Sequence, residues 1–301
     1  MIWLTAAIVT AAIMGVVAII DSHLISKRLP SLRAFLLPIS IINIGVGLII
    51  LNLYPLPRGI GVMPLVVAVG SGIVRVAGAL PMLRAMRSEE VSRIIPVVNT
   101  SPIFVAILAV PILGEALGYS EWLAIFIMVA GAVLISIRRD SDGQGVRLHK
   151  PLMVLIISSM LFGVATTASK YALDYITFWN MYGINALCMG TVFLLFSVRP
   201  KTLKEVRDMA QRNQVLALIL LNECIAVGGI ILSFWAIERG PVSLVSTVLS
   251  TRPAFVFLYA LALSLFFPAV LEEHLSKGAM VTKIVAISLV IGGVTLVTLS
   301  G

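Results

Sequence analysis

Thr100-Ser-Pro-Ile-Phe-Val105 returns 151 residues later as Thr251-Arg-Pro-Ala-Phe-Val256. Each copy lies inside a long apolar run and carries its proline well away from the ends, where a helix ordinarily excludes it. Working outward at the same offset, Ala85 falls on Ala236, Gly78 on Gly229, and Val91-Ser92 on Val242-Ser243, with no gap between them. Farther out the register drifts to 148, placing Gly15-Val16 on Gly163-Val164, and to 162, placing Ala130-Gly131 on Gly292-Gly293. Self-similarity of this length reads as a duplicated unit of about half the chain.

The solvent of that unit follows from composition. Of 301 residues, 59% are hydrophobic and 12% charged, and the mean hydropathy is +1.08. A soluble domain carries roughly a quarter of its residues charged. Half that density means that lipid surrounds much of the chain. The apolar runs fall at about 2–21, 34–53, 60–83, 94–113 and 121–137, then at 152–172, 177–197, 214–237, 242–267 and 280–300. Each is long enough to cross a hydrocarbon core of about 30 Å as a helix. Barrel strands would instead alternate over about 10 residues. The expectation is an all-α integral membrane protein of ten transmembrane helices. The first run lacks a basic n-region and reads as a retained helix.

The stretch Arg138-Arg-Asp-Ser-Asp-Gly-Gln-Gly-Val-Arg147 interrupts the runs, dividing the chain into 2–137, a linker at 138–151, and 152–300. Five spans per half is an odd number, so the second copy enters the membrane inverted. Charge supports this. Seventeen of the 22 Lys and Arg residues lie in loops after the first, third, fifth, seventh and ninth spans, against Arg58 and Arg239 in the opposite loops. The positive-inside rule makes the linker cytoplasmic and puts both termini outside. The net charge of +8 is thereby spent on topology, not on nucleic acid. Cys188 and Cys224 lie within apolar runs and form no metal-ligand spacing.

The chain resembles the drug/metabolite transporter superfamily, specifically its ten-helix proteins with two EamA-type repeats. The resemblance rests on Pro96-Val-Val-Asn-Thr-Ser-Pro-Ile-Phe-Val-Ala-Ile-Leu-Ala-Val-Pro-Ile-Leu-Gly-Glu115, followed by Trp122 and Gly131, and on Phe162-Gly163 with Lys170 seven residues on. The copies differ at two of these places. Ser22 stands where the second repeat has Lys170, and Leu271-Glu-Glu273 replaces a clean Leu-Gly-Glu. The resemblance implies two inverted five-helix repeats around a central cavity, worked by alternating access, in a bacterial or archaeal cytoplasmic membrane. It implies a secondary transporter, exporter or exchanger, of a small polar metabolite such as an amino acid. Carriage of phosphorylated or nucleotide-linked solutes is the alternative, and a homodimer remains open.

Ionisable groups deep in a span are costly, so they pair or line a wet cavity. Arg75 reads as an anchor for a carboxylate or phosphate, or as a structural ion pair with Glu223 across the cavity. Glu223 reads as a site for an amine or a coupling proton. Arg252, beside Pro253 near the centre of the ninth span, is too deep to snorkel easily. Asp21 and His23 close the first span and could relay protons, or simply mark its polar end. Lys170 either joins them or snorkels to headgroups. Asn99, Thr251, Asn222 and Trp235 complete the candidate substrate contacts, with Trp235 equally suited to an interfacial anchor. No phosphate loop, zinc-protease motif, aspartate-rich diphosphate motif or nucleophile elbow occurs. No enzyme, cofactor or metal site is expected; a membrane-embedded enzyme acting on lipid-linked substrates is the reading from another class.

Overall fold

The computed structural model describes residues 2–86, 94, 97–136, 150–266, 285 and 288–297. All elements among them are helical. In chain order these are α1 (Ile2–His23), a π-helical turn Leu24–Arg28, α2 (Leu32–Leu53), α3 (Val62–Ala85), α4 (Ser101–Leu113), α5 (Tyr119–Ser136) and α6 (Lys150–Leu173). There follow α7 (Phe178–Ser197), α8 (Pro200–Arg207), α9 (Arg212–Arg239), α10 (Val242–Leu249), α11 (Arg252–Phe266) and α12 (Ser288–Val297). Seven helical stretches among the described residues are long and apolar enough to cross a membrane: Ile2–Arg28, Leu32–Leu53, Val62–Ala85, Met153–Leu173, Phe178–Ser197, Arg212–Arg239 and Val242–Tyr259. Ser101–Leu113, Tyr119–Gly131 and Ser288–Val297 are shorter apolar helices. Large apolar side chains such as Ile41, Ile49, Met63, Leu195 and Ile291 are exposed on the outside, as lipid contact requires.

Local chemistry sets the helix ends. Ser31 caps α2 by accepting the Ala34 amide, and Thr177 and Asn180 form a reciprocal capping box at the start of α7. Gly114 closes α4 in the left-handed region at φ +67°, where a Cβ would be strained.

The duplicated stretch is structured alike in both copies, though not as the continuous spans read from hydropathy. The ninth span breaks between Leu249 and Arg252. There the Thr251 amide bonds Val248 O (3.1 Å), its hydroxyl bonds the same oxygen (2.8 Å), and the Ala254 amide bonds Thr251 O (2.9 Å). In the first copy the Thr100 amide bonds Val97 O (3.2 Å), its hydroxyl does too (2.7 Å), and the Ile103 amide bonds Thr100 O (3.1 Å). The cause is shared. Pro253 and Pro102 bring no amide hydrogen, so the turn before each tightens and the threonine hydroxyl covers a carbonyl.

The helices pack α2 on α7, α3 on α6 and α7, α1 on α9, α10 and α11, and α4 on α6 and α10. Glycine permits the closest of these approaches: a Cβ on Gly190 of α7 would meet Ile44 at 2.6 Å and Ser40 O at 2.9 Å on α2. Beside a small apolar cluster of Ala106, Ile125 and Val129, the described residues form two larger cores. One gathers Met181, Tyr182, Phe234, Ala236, Val242, Leu244, Val245 and Val248, the other Leu24, Phe35, Leu36, Val76, Leu83, Phe193 and Ile219. A cavity lies between them.

Candidate functional site

The cavity measures about 330 Å³ and draws its walls from α1, α2, α3, residues 98–101, α6, α7, α9, α10 and Arg252. Most of its wall is apolar, including Met14, Phe35, Phe162, Met189, Phe193 and Phe234. Set into that wall are Asp21, Asn43, Arg75, Asn99, Asn185, Glu223 and Arg252. Five candidates from the sequence thus converge: Arg75, Glu223, Arg252, Asn99 and Asp21.

Each charge has its own arrangement. Arg75 donates from Nε to Asn185 Oδ1 (3.2 Å) and from Nη2 to Ser169 Oγ (3.3 Å), and its guanidinium lies 5.5 Å from the centre of the Phe234 ring. Glu223 accepts from Asn43 Nδ2 at 3.1 Å, and Asp21 accepts from Asn222 Nδ2 at 2.7 Å. Arg75 and Glu223 therefore do not form the ion pair considered from sequence; each takes an amide partner. Asp21 lies within electrostatic reach of both Glu223 and Arg252. The Arg252 Nε is buried with no hydrogen-bond partner among the described residues, and the same holds for Thr10 Oγ1, Asn222 Oδ1 and Tyr182 Oη. Thr10 and Arg252 face the cavity, Asn222 touches Asp21, and Tyr182 is an electrostatic neighbour of Glu223.

The other candidates serve elsewhere. Thr251 is buried in the helix break, its hydroxyl spent on Val248 O. Trp235 stacks under the Arg239 guanidinium at 4.3 Å, near the end of α9. His23 Nε2 accepts from Arg28 Nε (3.2 Å) at the opposite end of the bundle. Lys170 does not snorkel. Its Nζ donates to Ile237 O (2.9 Å), Glu238 O (3.1 Å) and Gly240 O (3.2 Å), the last carbonyls of α9. Such carbonyls have no partner within their own helix, and an ammonium is the natural cap for them.

The Gly240 end of the bundle is tied further. Glu115 accepts from the amides of Val242 and Ser243 and from Ser243 Oγ (2.6 Å) at the start of α10. Tyr54 stacks on Trp179 with centroids 4.7 Å apart, and Glu238 accepts the Phe178 amide at 3.1 Å. At the basic end the cross-links among the described residues are Arg28 to Gln211 Oε1 (2.8 Å), which is exposed, and Ser31 to Glu205, which is half-buried, with Arg33 and Arg84 both over the Phe196 ring. Asn43, Asn185 and Ser169 went unremarked in the sequence reading, and Glu115 entered it only as the close of the Leu-Gly-Glu stretch. For the two asparagines the signal was present, as amides in the middle of apolar runs. Among the described residues no group of three or more His, Cys, Asp or Glu could hold a metal ion.

Comparison with known proteins agrees with this architecture. A solved chain, titled only as the crystal structure of a protein, superposes with a TM-score of 0.67 at 16% identity, covering 99% of this chain and 96% of its own. That likeness concerns the fold alone. No curated protein matches the chain. The EamA-like transporter family matches twice, at residues 1–137 and 149–299. With both of its units matched and its helices apolar, the chain belongs to the EamA-like transporter family and is a multi-pass integral membrane protein of transporter type.

Proposed function

We propose that the chain is a secondary transporter that exports or exchanges an amino acid or a related small metabolite, by alternating access of two inverted five-helix repeats. The observation that carries this is the cavity itself, which presents two carboxyl groups and two guanidinium groups within an apolar enclosure of about 330 Å³. A zwitterion matches such a wall, its carboxylate on Arg252 or Arg75 and its ammonium on Glu223 or Asp21. Buried polar atoms in a membrane interior are expensive unless partnered. The orphaned Arg252 Nε and Thr10 Oγ1 are therefore contacts that a polar solute completes. The volume lies at the small end of ligand sites, which span about 300–1,000 Å³. It favours a single metabolite over a nucleotide-linked one.

Inversion of the repeats is supported by reciprocal packing. A Cβ on Gly15 of α1 would meet Phe255 Cβ of α11 at 3.2 Å, and one on Gly163 of α6 would meet Phe104 Cβ of α4 at 2.7 Å. Gly15 matches Gly163, and Phe104 matches Phe255, in the register read from the sequence. The two contacts exchange partners between halves, as an inverted pair must. Alternating access follows physically, because halves that can exchange conformations give two states of similar energy. Positively charged loops place the basic end in the cytoplasm.

Asp21 and Glu223 are the proposed coupling groups, since both are carboxyls on the cavity wall. Purified protein in liposomes should exchange a labelled amino acid, in competition with unlabelled amino acids and not with phosphate esters. Competition by phosphate esters alone would shift the assignment to phosphorylated solutes. Flux should respond to a pH gradient, and Glu223→Gln should abolish that response. A pH response retained in full by Glu223→Gln removes Glu223 from the coupling role.

A further inference from the structure

We propose that Glu115 and Lys170 are positioning residues for transport, a paired latch on the α9–α10 turn that keeps the Gly240 end of the cavity shut at rest. Solute identity plays no part in this. It rests on the transport reading only for its effect on flux.

The latch grips one short turn from both sides. Lys170 fills its three donor positions with the carbonyls of Ile237, Glu238 and Gly240. Glu115 uses both carboxylate oxygens on the amides of Val242 and Ser243 and on the Ser243 hydroxyl. The signs suit the places, an ammonium where α9 ends and a carboxylate where α10 begins. Charge-assisted hydrogen bonds of this kind are about twice as strong as neutral ones. The turn is also seated tightly: a Cβ on Gly240 would meet the Trp3 ring at 2.8 Å.

Its position gives it control of access. Ile237 and Ser246, on either side of the turn, line the cavity. The two residues divide the work. Lys170 belongs to the same matched unit as the turn, at 149–299, so its bonds fix the turn's shape as one piece. Glu115 belongs to the unit at 1–137, so its bonds tie one half of the molecule to the other. Opening at this end must break the Glu115 contacts and can leave those of Lys170 intact. At the basic end Ser22 stands at the place of Lys170 in the first repeat, and Leu271-Glu-Glu273, the counterpart of Leu113-Gly-Glu115, lies outside the described residues.

The test is a spin-label distance measurement in nanodiscs. Nitroxides are placed at Tyr119→Cys and Tyr175→Cys, both exposed at this end and one in each half, in a Cys188→Ser, Cys224→Ser background. The parent should give one short-distance population. Glu115→Ala should raise a longer population by roughly tenfold, the ratio that about 1.4 kcal/mol sets. Ser243→Ala should move it in the same direction by less, and Lys170→Arg, which keeps the donors, should restore the parental distribution where Lys170→Met does not. Unchanged distances in folded Glu115→Ala overturn the latch. If that variant does not fold, unchanged distances in both Glu115→Gln and Ser243→Ala overturn it equally. A shifted distribution in protein that carries no amino acid keeps the latch and sinks the amino-acid assignment instead.

Discussion

Thr100–Val105 and Thr251–Val256 are the same piece of backbone used twice, down to the threonine hydroxyl on the carbonyl three residues back. They differ at the second position, where Ser101 and Arg252 both face the cavity. Duplication thus preserved the break that brings backbone to the cavity, while one substitution moved a full charge onto a single side. The scaffold is shared and the chemistry is not. On the proposed transport reading, a solute in the cavity meets unequal walls, and one orientation is favoured.

The most severe way to break this comparison is to equalise the two sites. Arg252→Ser should cost a bound anionic group a charged hydrogen bond of about 1.5–3 kcal/mol, roughly tenfold to a hundredfold in half-saturation of exchange. Full flux at parental half-saturation would show that the divergence is not used in binding. A smaller effect probes the shared scaffold. Gly163→Ala should lower thermal stability by about 1–3 kcal/mol through overpacking against Phe104. Gly15→Ala, with its looser 3.2 Å approach, should cost less. Equal losses would mean that the two packings are not ranked by their closeness. The smallest effect is expected at the matched hydroxyls. Thr100→Val and Thr251→Val should each change stability by under about 1 kcal/mol. Thr100 should lose slightly more, because its hydroxyl also meets Ser159 Oγ at 2.9 Å.

Sequence alone reached far into the fold because lipid simplifies the problem. Apolar length read ten spans, of which seven are helices long enough to cross a membrane among the described residues, and the duplicated proline stretch tied the halves together. It also reached much of the candidate site: an ion inside a span has few places to go, and Asp21, Arg75, Glu223 and Arg252 all line the cavity. Partners were less legible. Arg75 and Glu223 invite pairing on charge, yet Asn185 and Asn43, unremarkable amides at distant positions, take those places. Lys170 near a span end reads as a headgroup contact because the competing acceptors are carbonyls, which every residue carries. Glu115 sits in a loop 127 residues from its closest partner, and nothing local announces the helix start that it caps. The break at Ser250 was hidden because the run is apolar on both sides of the short Ser250-Thr-Arg-Pro253 stretch and reads as one span.

The exchanged glycine–phenylalanine contacts also govern the order of assembly. Synthesis from the N-terminus inserts Gly15 and Phe104 first, and each lacks its native partner until Phe255 and Gly163 leave the ribosome. A half-made chain is therefore membrane-inserted with neither contact formed. Packing closes only near the end of translation, when Phe255 reaches α1, and until then the exposed glycine notch is a surface for chaperones and proteases to read.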